Sequence, residues 1–302
     1  MPDGSHRGGA TGWALAVFAA ACWAASGVTA RWVFSSGVDP AALAGVRSLI
    51  AFAVLLVYLA TARRDLLRVS ARDLLPLAAY GVLGLAAVHY AYYRTISLAG
   101  VATAILLEYL SPVLVLAYSV VVLRQRPTWA LPAGVAASVA GCALVVGATG
   151  GPRLSGEALA WGLASAVLFA AYAVVGGHAG ARWHPLTALL YGFAAAAVFW
   201  LVAIGPRRVL APLVEPRTAA AAVFVAVFGA VLAFGAFLGA LRRLDATRVM
   251  VASTIEPVLA AGAAWALLGE ALTMRQVLGG ALVLAAVVVV ARAGGPAPPP
   301  GA

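Results

Sequence analysis

Long apolar runs follow one another along the whole chain, separated by short links that are polar or contain glycine and proline. A helix needs about 20 consecutive apolar residues to cross the roughly 30 Å hydrocarbon core of a bilayer. Counting runs of that length predicts ten membrane-spanning helices. The predicted spans are residues 13–34, 40–61, 74–93, 98–123, 129–148, 158–178, 185–205, 218–240, 246–268 and 275–292.

The second half of the chain repeats the spacing of the first half. A shift of 145 residues places Ser111–Leu114 ("SPVL") on Glu256–Leu259 ("EPVL"), and the match continues without gaps. We therefore predict two five-helix repeats, at 13–148 and 158–292. Because five is an odd number, the two repeats enter the membrane from opposite sides, which is the inverted-topology arrangement of many secondary transporters.

Little of the chain remains outside the predicted spans. Residues 1–12 and 293–302 have the polar or Pro/Gly-rich composition of disordered tails, and residues 149–157 form the predicted linker between the repeats. The expected fold class is therefore an all-α integral membrane protein, with ten transmembrane helices and no soluble module.

Composition supports the membrane assignment. Of the 302 residues, 64% are hydrophobic and 10% are charged, and the mean hydropathy is +1.00. Soluble domains are only about half apolar. The net charge of +10 comes from arginines dispersed among short loops. A nucleic-acid-binding surface would gather them on one element, so we expect no nucleic-acid partner.

The arginines favour one orientation in the membrane. With the N-terminus in the cytoplasm, 12 arginines fall on the cytoplasmic side and 7 on the opposite side. Positive residues are enriched in cytoplasmic loops, so we expect a multi-pass cell-membrane protein with both termini in the cytoplasm. Arg124–Arg126 ("RQR") would lie inside and its repeat partner Gly269–Ala271 ("GEA") outside. Gly205–Arg217 is the exception, because it would carry three arginines outside.

Two glutamates lie near the middle of predicted spans, and each is close to a proline. Glu108 precedes Pro112 by four residues, and Glu256 directly precedes Pro257. Proline has no N–H, so Pro112 frees the carbonyl of Glu108, and Pro257 frees that of Ser253. A charge at the bilayer centre costs at least roughly 2.5–3.5 kcal/mol, and unpaired backbone is tolerated there only within protein or beside a wet cavity. We expect two helix kinks that line an interior path.

The two acids have two interpretations. In one, Glu108 and Glu256 lie on the transport path and contact a substrate amine or a coupling proton. In the other, they are structural, for instance in an ion pair with Arg47, the arginine deep within a predicted span. Arg47 is itself a candidate for the path. The further candidates are polar or aromatic residues within spans, namely Trp23, Ser26, His89, Tyr90, Tyr172 and Ser253.

These features together resemble the EamA-type transporters of the drug/metabolite transporter superfamily. The best match is Leu241–Val290, with its acid-proline pair, its "GE" turn and the glycine-rich helix that follows. The first repeat matches more loosely, through Tyr92–Leu116 and through "RSL" at Arg47. It departs from the family at "RQR", where a Gly-Glu pair is common, and at Leu49, where an aromatic residue is more usual. The resemblance implies a ten-helix carrier that exports small metabolites, often amino acids or related compounds, by alternating access.

The expected function is secondary active transport of a small molecule, with the proton as candidate coupling ion and with no cofactor or metal. A channel-like uniporter on the same fold is the alternative. An integral-membrane enzyme is less favoured, because the chain has no HExxH motif, no GxSxG elbow and no phosphate-binding loop, and its four histidines lack ligand spacing. Cys22 and Cys142 lie within apolar spans and are expected to be core residues. The sequence determines neither the substrate nor the oligomeric state.

Overall fold

The structure, a computed structural model, describes residues 4–147, 155–268 and 272–293. All regular secondary structure in these residues is helical. The helices are α1 (Gly4–Ser35), α2 (Pro40–Ala62), α3 (Ala71–Gly81), α4 (Val88–Glu108), α5 (Ser111–Val121), α6 (Ala130–Val146), α7 (Gly156–Arg182), α8 (Pro185–Ala203), α9 (Pro206–Leu210), α10 (Pro216–Ala226), α11 (Ala233–Leu241), α12 (Ala246–Ser253), α13 (Glu256–Leu268) and α14 (Met274–Arg292). Short 3₁₀ turns lie at Arg64–Leu67 and Ala211–Leu213.

Seven helical stretches in the described part of the chain are long and apolar enough to cross a membrane. One of them, Ala71–Val121, contains 51 residues. As a straight helix it would measure about 75 Å, more than twice the thickness of the hydrocarbon core. It is interrupted at Gly100, whose φ of +85° is a conformation that glycine adopts without steric cost. The protein is therefore an all-helical, multi-pass membrane protein.

Two other kinds of interruption each occur twice, 145 positions apart. Segments of π-helix lie at Val82–Ala87 and Val227–Leu232. Two-residue turns, at 109–110 and 254–255, separate α4 from α5 and α12 from α13. The predicted kinks are therefore complete breaks, and Pro112 and Pro257 each lie at the second residue of the helix that follows. Proline is tolerated there because a first-turn N–H has no partner within its own helix.

The ends of the helices differ from the ends of the predicted spans. Helix α1 begins at Gly4, so most of the expected tail 1–12 continues this helix. An apolar run marks the part of a helix that lies in hydrocarbon, and the helix itself can extend into polar residues at the membrane surface. The predicted tail 293–302 lies outside the described residues except for Ala293, as do most of the linker 149–157 and the "GEA" segment Gly269–Ala271.

Helices α6 and α14 pack through glycine, with their backbones in contact. A Cβ atom on Gly141 would come within 2.8 Å of the carbonyl oxygen of Gly279, and one on Gly279 would come within 2.7 Å of the carbonyl oxygen of Gly141. Lipid tails are as apolar as the helix surfaces, so membrane helices associate through such close contact. Other main packing pairs are α4 with α7, α1 with α11, α2 with α8 and α3 with α8.

Glu215 caps the N-terminus of α10 at the membrane surface. Its carboxylate accepts hydrogen bonds from the backbone N–H groups of Arg217 at 3.0 Å and Thr218 at 2.6 Å, and these bonds lower the pKa of Glu215. A lowered carboxyl pKa means that the cap stabilises the fold above the ordinary pKa of about 4.3 and is lost as the pH falls through the lowered value. We expect Glu215→Ala to speed amide exchange at Arg217 and Thr218 about fivefold at neutral pH.

Hydrogen exchange followed by mass spectrometry measures this effect. Glu157→Ala is the matched control, because Glu157 lies in the first turn of α7 and should leave exchange in α10 unchanged. Equal protection of the α10 amides in wild-type protein and in Glu215→Ala would contradict the cap.

Candidate functional site

A cavity lies where α1, α2, α4 and α7 meet the π-helical segment Val227–Leu232 and the start of α13. Its free volume is about 30 Å³, which is room for about two water molecules. Both acids predicted from the sequence line it. The predicted residues that the structure brings together here are Trp23, Ser26, Arg47, His89, Glu108 and Glu256.

Arg47 provides the positive charge of the cavity. Its side chain is 2% exposed, and Nη2 donates a hydrogen bond of 2.7 Å to the carbonyl oxygen of Gly229. Gly229 lies in a π-helical segment, a local irregularity that is frequent at functional sites. The rings of Tyr93 and Phe234 flank the guanidinium, with centroids 5.9 Å and 5.7 Å from Cζ, within the range of cation–π interactions. Nε of Arg47 has no hydrogen-bond partner.

Each glutamate accepts a hydrogen bond from a hydroxyl group elsewhere in the fold. Ser165 Oγ, on α7, donates to Glu108. Tyr109, in the turn after α4, donates to Oε2 of Glu256 at 2.7 Å. In the described part of the chain neither acid is within ion-pair distance of Arg47, so the structural ion pair considered from the sequence is not formed.

His89 and several aromatic rings complete the lining. Nδ1 of His89 lies 2.6 Å from the carbonyl oxygen of Leu85. Because a carbonyl can only accept, the proton of the neutral ring is assigned to this nitrogen. Trp23 packs edge-on against Phe169 and Phe234, with centroids 5.7 Å and 5.1 Å away. The cavity therefore has an apolar aromatic wall beside its charged groups.

Three predicted residues do not line the cavity. Tyr90 packs edge-on against Trp161 at a centroid distance of 5.2 Å, and Tyr172 stacks on Tyr80 at 4.7 Å. The hydroxyl of Ser253 donates back to its own helix. A helix turns about 100° per residue, so the side chain of Tyr90 points in a different direction from that of His89, which lines the cavity.

The structure also adds residues that were not among the candidates selected from the sequence. Tyr93 lies four positions after His89, a spacing that indicates a shared helix face. Residues on α7 offered no such signal, because their position depends on how α7 packs against α4. The added residues that line the cavity or contact its acids include Tyr92, Tyr93, Tyr109, Ser165, Phe169, Gly229 and Phe234.

Comparisons with known proteins identify a family and similar proteins. The family model described as the EamA-like transporter family matches residues 10–147 and again residues 156–292. The inner membrane transporter YicL of Salmonella typhimurium is 26% identical over 289 residues, which cover 91% of this chain and 93% of that protein. A crystal structure described only as that of a protein aligns with a TM-score of 0.74 and 23% identity over 94% of this chain and 96% of its own, which indicates the same fold.

Proposed function

Since the chain belongs to the EamA-like transporter family, and is therefore a membrane transporter, we propose that it is a secondary carrier that exports amino-acid-like metabolites by alternating access. Its relative YicL is an inner membrane transporter, and we assign this chain to the same membrane. The observation that carries the proposal is that one cavity holds a buried arginine and two acids at the junction of interrupted helices.

The proposed architecture is ten transmembrane helices in two inverted repeats. Beyond the seven long stretches, α6, the α12–α13 pair and the part of Ala71–Val121 after Gly100 supply three more spans. The family model matches the chain twice, and the π-helical segments and helix breaks recur 145 positions apart. The packing also supports the repeat, because the pair α4–α7 corresponds to α11–α1, and α3–α8 corresponds to α10–α2. The arginine distribution favours cytoplasmic termini.

The chemistry of the cavity suits a zwitterion. The planar guanidinium of Arg47 matches a carboxylate, and its Nε hydrogen has no acceptor among the residues that the structure describes. Glu108 and Glu256 supply acceptors for an ammonium group. The ring of Trp23 and its aromatic neighbours offer apolar surface for a side chain. An amino acid carries all three kinds of group.

The size of the cavity supports alternating access. Its free volume of about 30 Å³ has room for about two water molecules, so helices must separate to admit an amino acid. Discontinuous helices at the membrane midplane form the binding sites of many secondary transporters. We propose that α4–α5 and α12–α13 are the hinged helices, because their breaks lie beside Glu108 and Glu256.

Counterflow of radiolabelled amino acids into proteoliposomes tests the proposal. We expect Glu108→Gln and Glu256→Gln each to lower the rate at least about tenfold, because hydrogen bonds to charged groups contribute about 1.5–3 kcal/mol. Glu157→Gln is the matched control, since Glu157 pairs with Arg94 outside the cavity and should leave the rate unchanged. Wild-type rate and pH dependence in both cavity variants would instead favour a uniporter in which the acids play no part.

A further inference from the structure

Tyr109 connects the two halves of the chain through one hydroxyl group. The residue lies in the turn between α4 and α5 and is 2% exposed. Its oxygen is 2.6 Å from the carbonyl oxygen of Ser253 and 2.7 Å from Oε2 of Glu256. A tyrosine hydroxyl has one hydrogen, so it can donate fully to only one of these two acceptors at a time.

The carbonyl of Ser253 needs a donor from outside its own helix. In a continuous helix it would accept from the N–H of the residue four positions later, which is Pro257 and has no N–H. Ser253 is 0% exposed, and a buried carbonyl without a hydrogen-bond partner destabilises the fold. Tyr109 therefore provides a hydrogen bond that Pro257 has removed from the helix.

The protonation of Glu256 decides whether both bonds are made. When the acid is protonated, its O–H donates to the Tyr109 oxygen, and the tyrosine donates to the Ser253 carbonyl. When Glu256 releases its proton to water in the cavity, the carboxylate becomes the stronger acceptor, because hydrogen bonds to ionised groups are about twice as strong as neutral ones. Tyr109 then donates to Glu256, and the Ser253 carbonyl loses its donor.

We propose that Tyr109 is a positioning residue that senses the proton on Glu256 and transmits its loss to the break between α12 and α13. The inference rests on the proposed transport function and identifies its proton-coupling group. The protonated acid holds the α4–α5 turn to the end of α12 through a continuous chain of hydrogen bonds. Ionisation releases that end of α12, one of the two helices proposed to move.

Several other groups lie near Glu256, and some of them carry charge or can titrate. From α1 the cavity receives Trp23 and Ser26, which do not titrate in this range, and Cys142 on α6 donates to the carbonyl of Thr254 at 3.4 Å. Glu108 is the second acid that lines the cavity. The remaining titratable or charged groups that line the cavity are Arg47, His89, Tyr92 and Tyr93.

The first half of the chain has no equivalent of the Tyr109–Glu256 hydrogen bond, so the proposed switch acts on the break between α12 and α13. The 145-residue shift places Thr254 at the position of Tyr109, and its hydroxyl donates to Val251 within its own helix at 2.6 Å. The same shift places Ser111 at the position of Glu256. A serine at that position does not titrate, so the release of a proton from Glu256 acts on the second break.

Infrared difference spectroscopy of the full-length protein in liposomes tests the inference with the proton alone as the probe. Acidification should produce a carboxylic acid C=O band that Glu256→Gln removes. We expect Tyr109→Phe to shift this band to higher frequency, because the acid loses its hydrogen-bonded partner. Pro257→Ala should shift it to lower frequency, because the restored N–H satisfies Ser253 and leaves the tyrosine free to donate to the acid. Tyr58→Phe, at a residue 49% exposed on α2, is the control and should shift nothing.

Transport measurements provide a second test. A purely structural role of Tyr109 would affect gradient-driven accumulation and counterflow alike. Tyr109→Phe should lower the accumulation of labelled amino acids driven by a pH gradient more strongly than it lowers counterflow, which moves no net proton. A band insensitive to both Tyr109→Phe and Pro257→Ala, or full gradient-driven accumulation in Tyr109→Phe, would overturn the inference. If the band shifts as expected while wild-type protein moves no amino acid, the proton switch is supported and the proposed substrate is wrong.

Discussion

Replacing Arg47 with glutamine is expected to lower the proposed transport of amino acids about a hundredfold, the largest functional effect predicted for any single substitution in this protein. Removing one partner of a buried charge-assisted interaction costs about 2–5 kcal/mol, and about 2.8 kcal/mol corresponds to a hundredfold. Arg47 is the cation that lines the cavity, so no other lining residue replaces its charge toward a carboxylate. Initial rates of counterflow in proteoliposomes measure the effect.

Two further arginine variants separate charge from geometry. Arg47→Lys keeps the positive charge but loses the planar fork that a carboxylate contacts with two hydrogen bonds, so we expect an intermediate rate. Arg94→Gln is the matched control, because Arg94 pairs with Glu157 at the surface, 2.7 Å away. Arg47→Gln should still fold, since it loses one hydrogen bond, to Gly229, and also removes a buried cation. Wild-type transport in Arg47→Gln would exclude Arg47 from substrate recognition.

Gly81→Ala is expected to destabilise the folded protein by about 3 kcal/mol, the upper end of the usual cost of overpacking. A Cβ atom at Gly81 would lie 2.5 Å from the Cα of Gly192 and would overlap its carbonyl group. Backbone atoms cannot turn aside as a flexible side chain can, so α3 and α8 would have to separate. Close backbone contact between small residues is what holds membrane helices together, and separation forfeits it. Thermal unfolding in detergent measures the loss.

Gly177→Ala is the matched control for this substitution. A Cβ atom at Gly177, on α7, would meet nothing within 4 Å, so the space accommodates it. Alanine also restricts the unfolded chain and favours the helix, so we expect unchanged stability or a gain of about 0.5–1 kcal/mol. An equal unfolding temperature for Gly81→Ala and wild-type protein would contradict the contact between α3 and α8.

Residue properties that act over short distances could be read from the sequence. The apolar runs predict the membrane assignment, because hydrocarbon excludes charge wherever the run occurs. Pro112 and Pro257 indicate interruptions, because the missing N–H is a property of the residue itself. The sequence did not distinguish a kink from a break, since that depends on whether neighbouring helices supply partners for the freed carbonyls. Tyr109 supplies such a partner to Ser253 from 144 positions away.

The composition of the candidate site was only partly determined by the sequence. Their positions in apolar spans identified Arg47, Glu108 and Glu256 as unusual, because placing a charge in hydrocarbon costs free energy in any fold. Which other side chains meet them depends on helix rotation and packing. His89 lines the cavity whereas the adjacent Tyr90 packs elsewhere, and Ser165 reaches Glu108 only because α7 packs on α4.

By itself, therefore, the sequence predicted an all-helical membrane transporter and identified charged residues within apolar runs as candidates for an interior path. The tertiary structure alone decided that Arg47 is bound by the Gly229 carbonyl and not by an acid, and that a hydroxyl group lies within hydrogen-bond distance of each glutamate. The physical reason is the difference in range. Hydropathy and the missing proline N–H act within one helix, whereas hydrogen bonds between distant residues form only after the helices have packed.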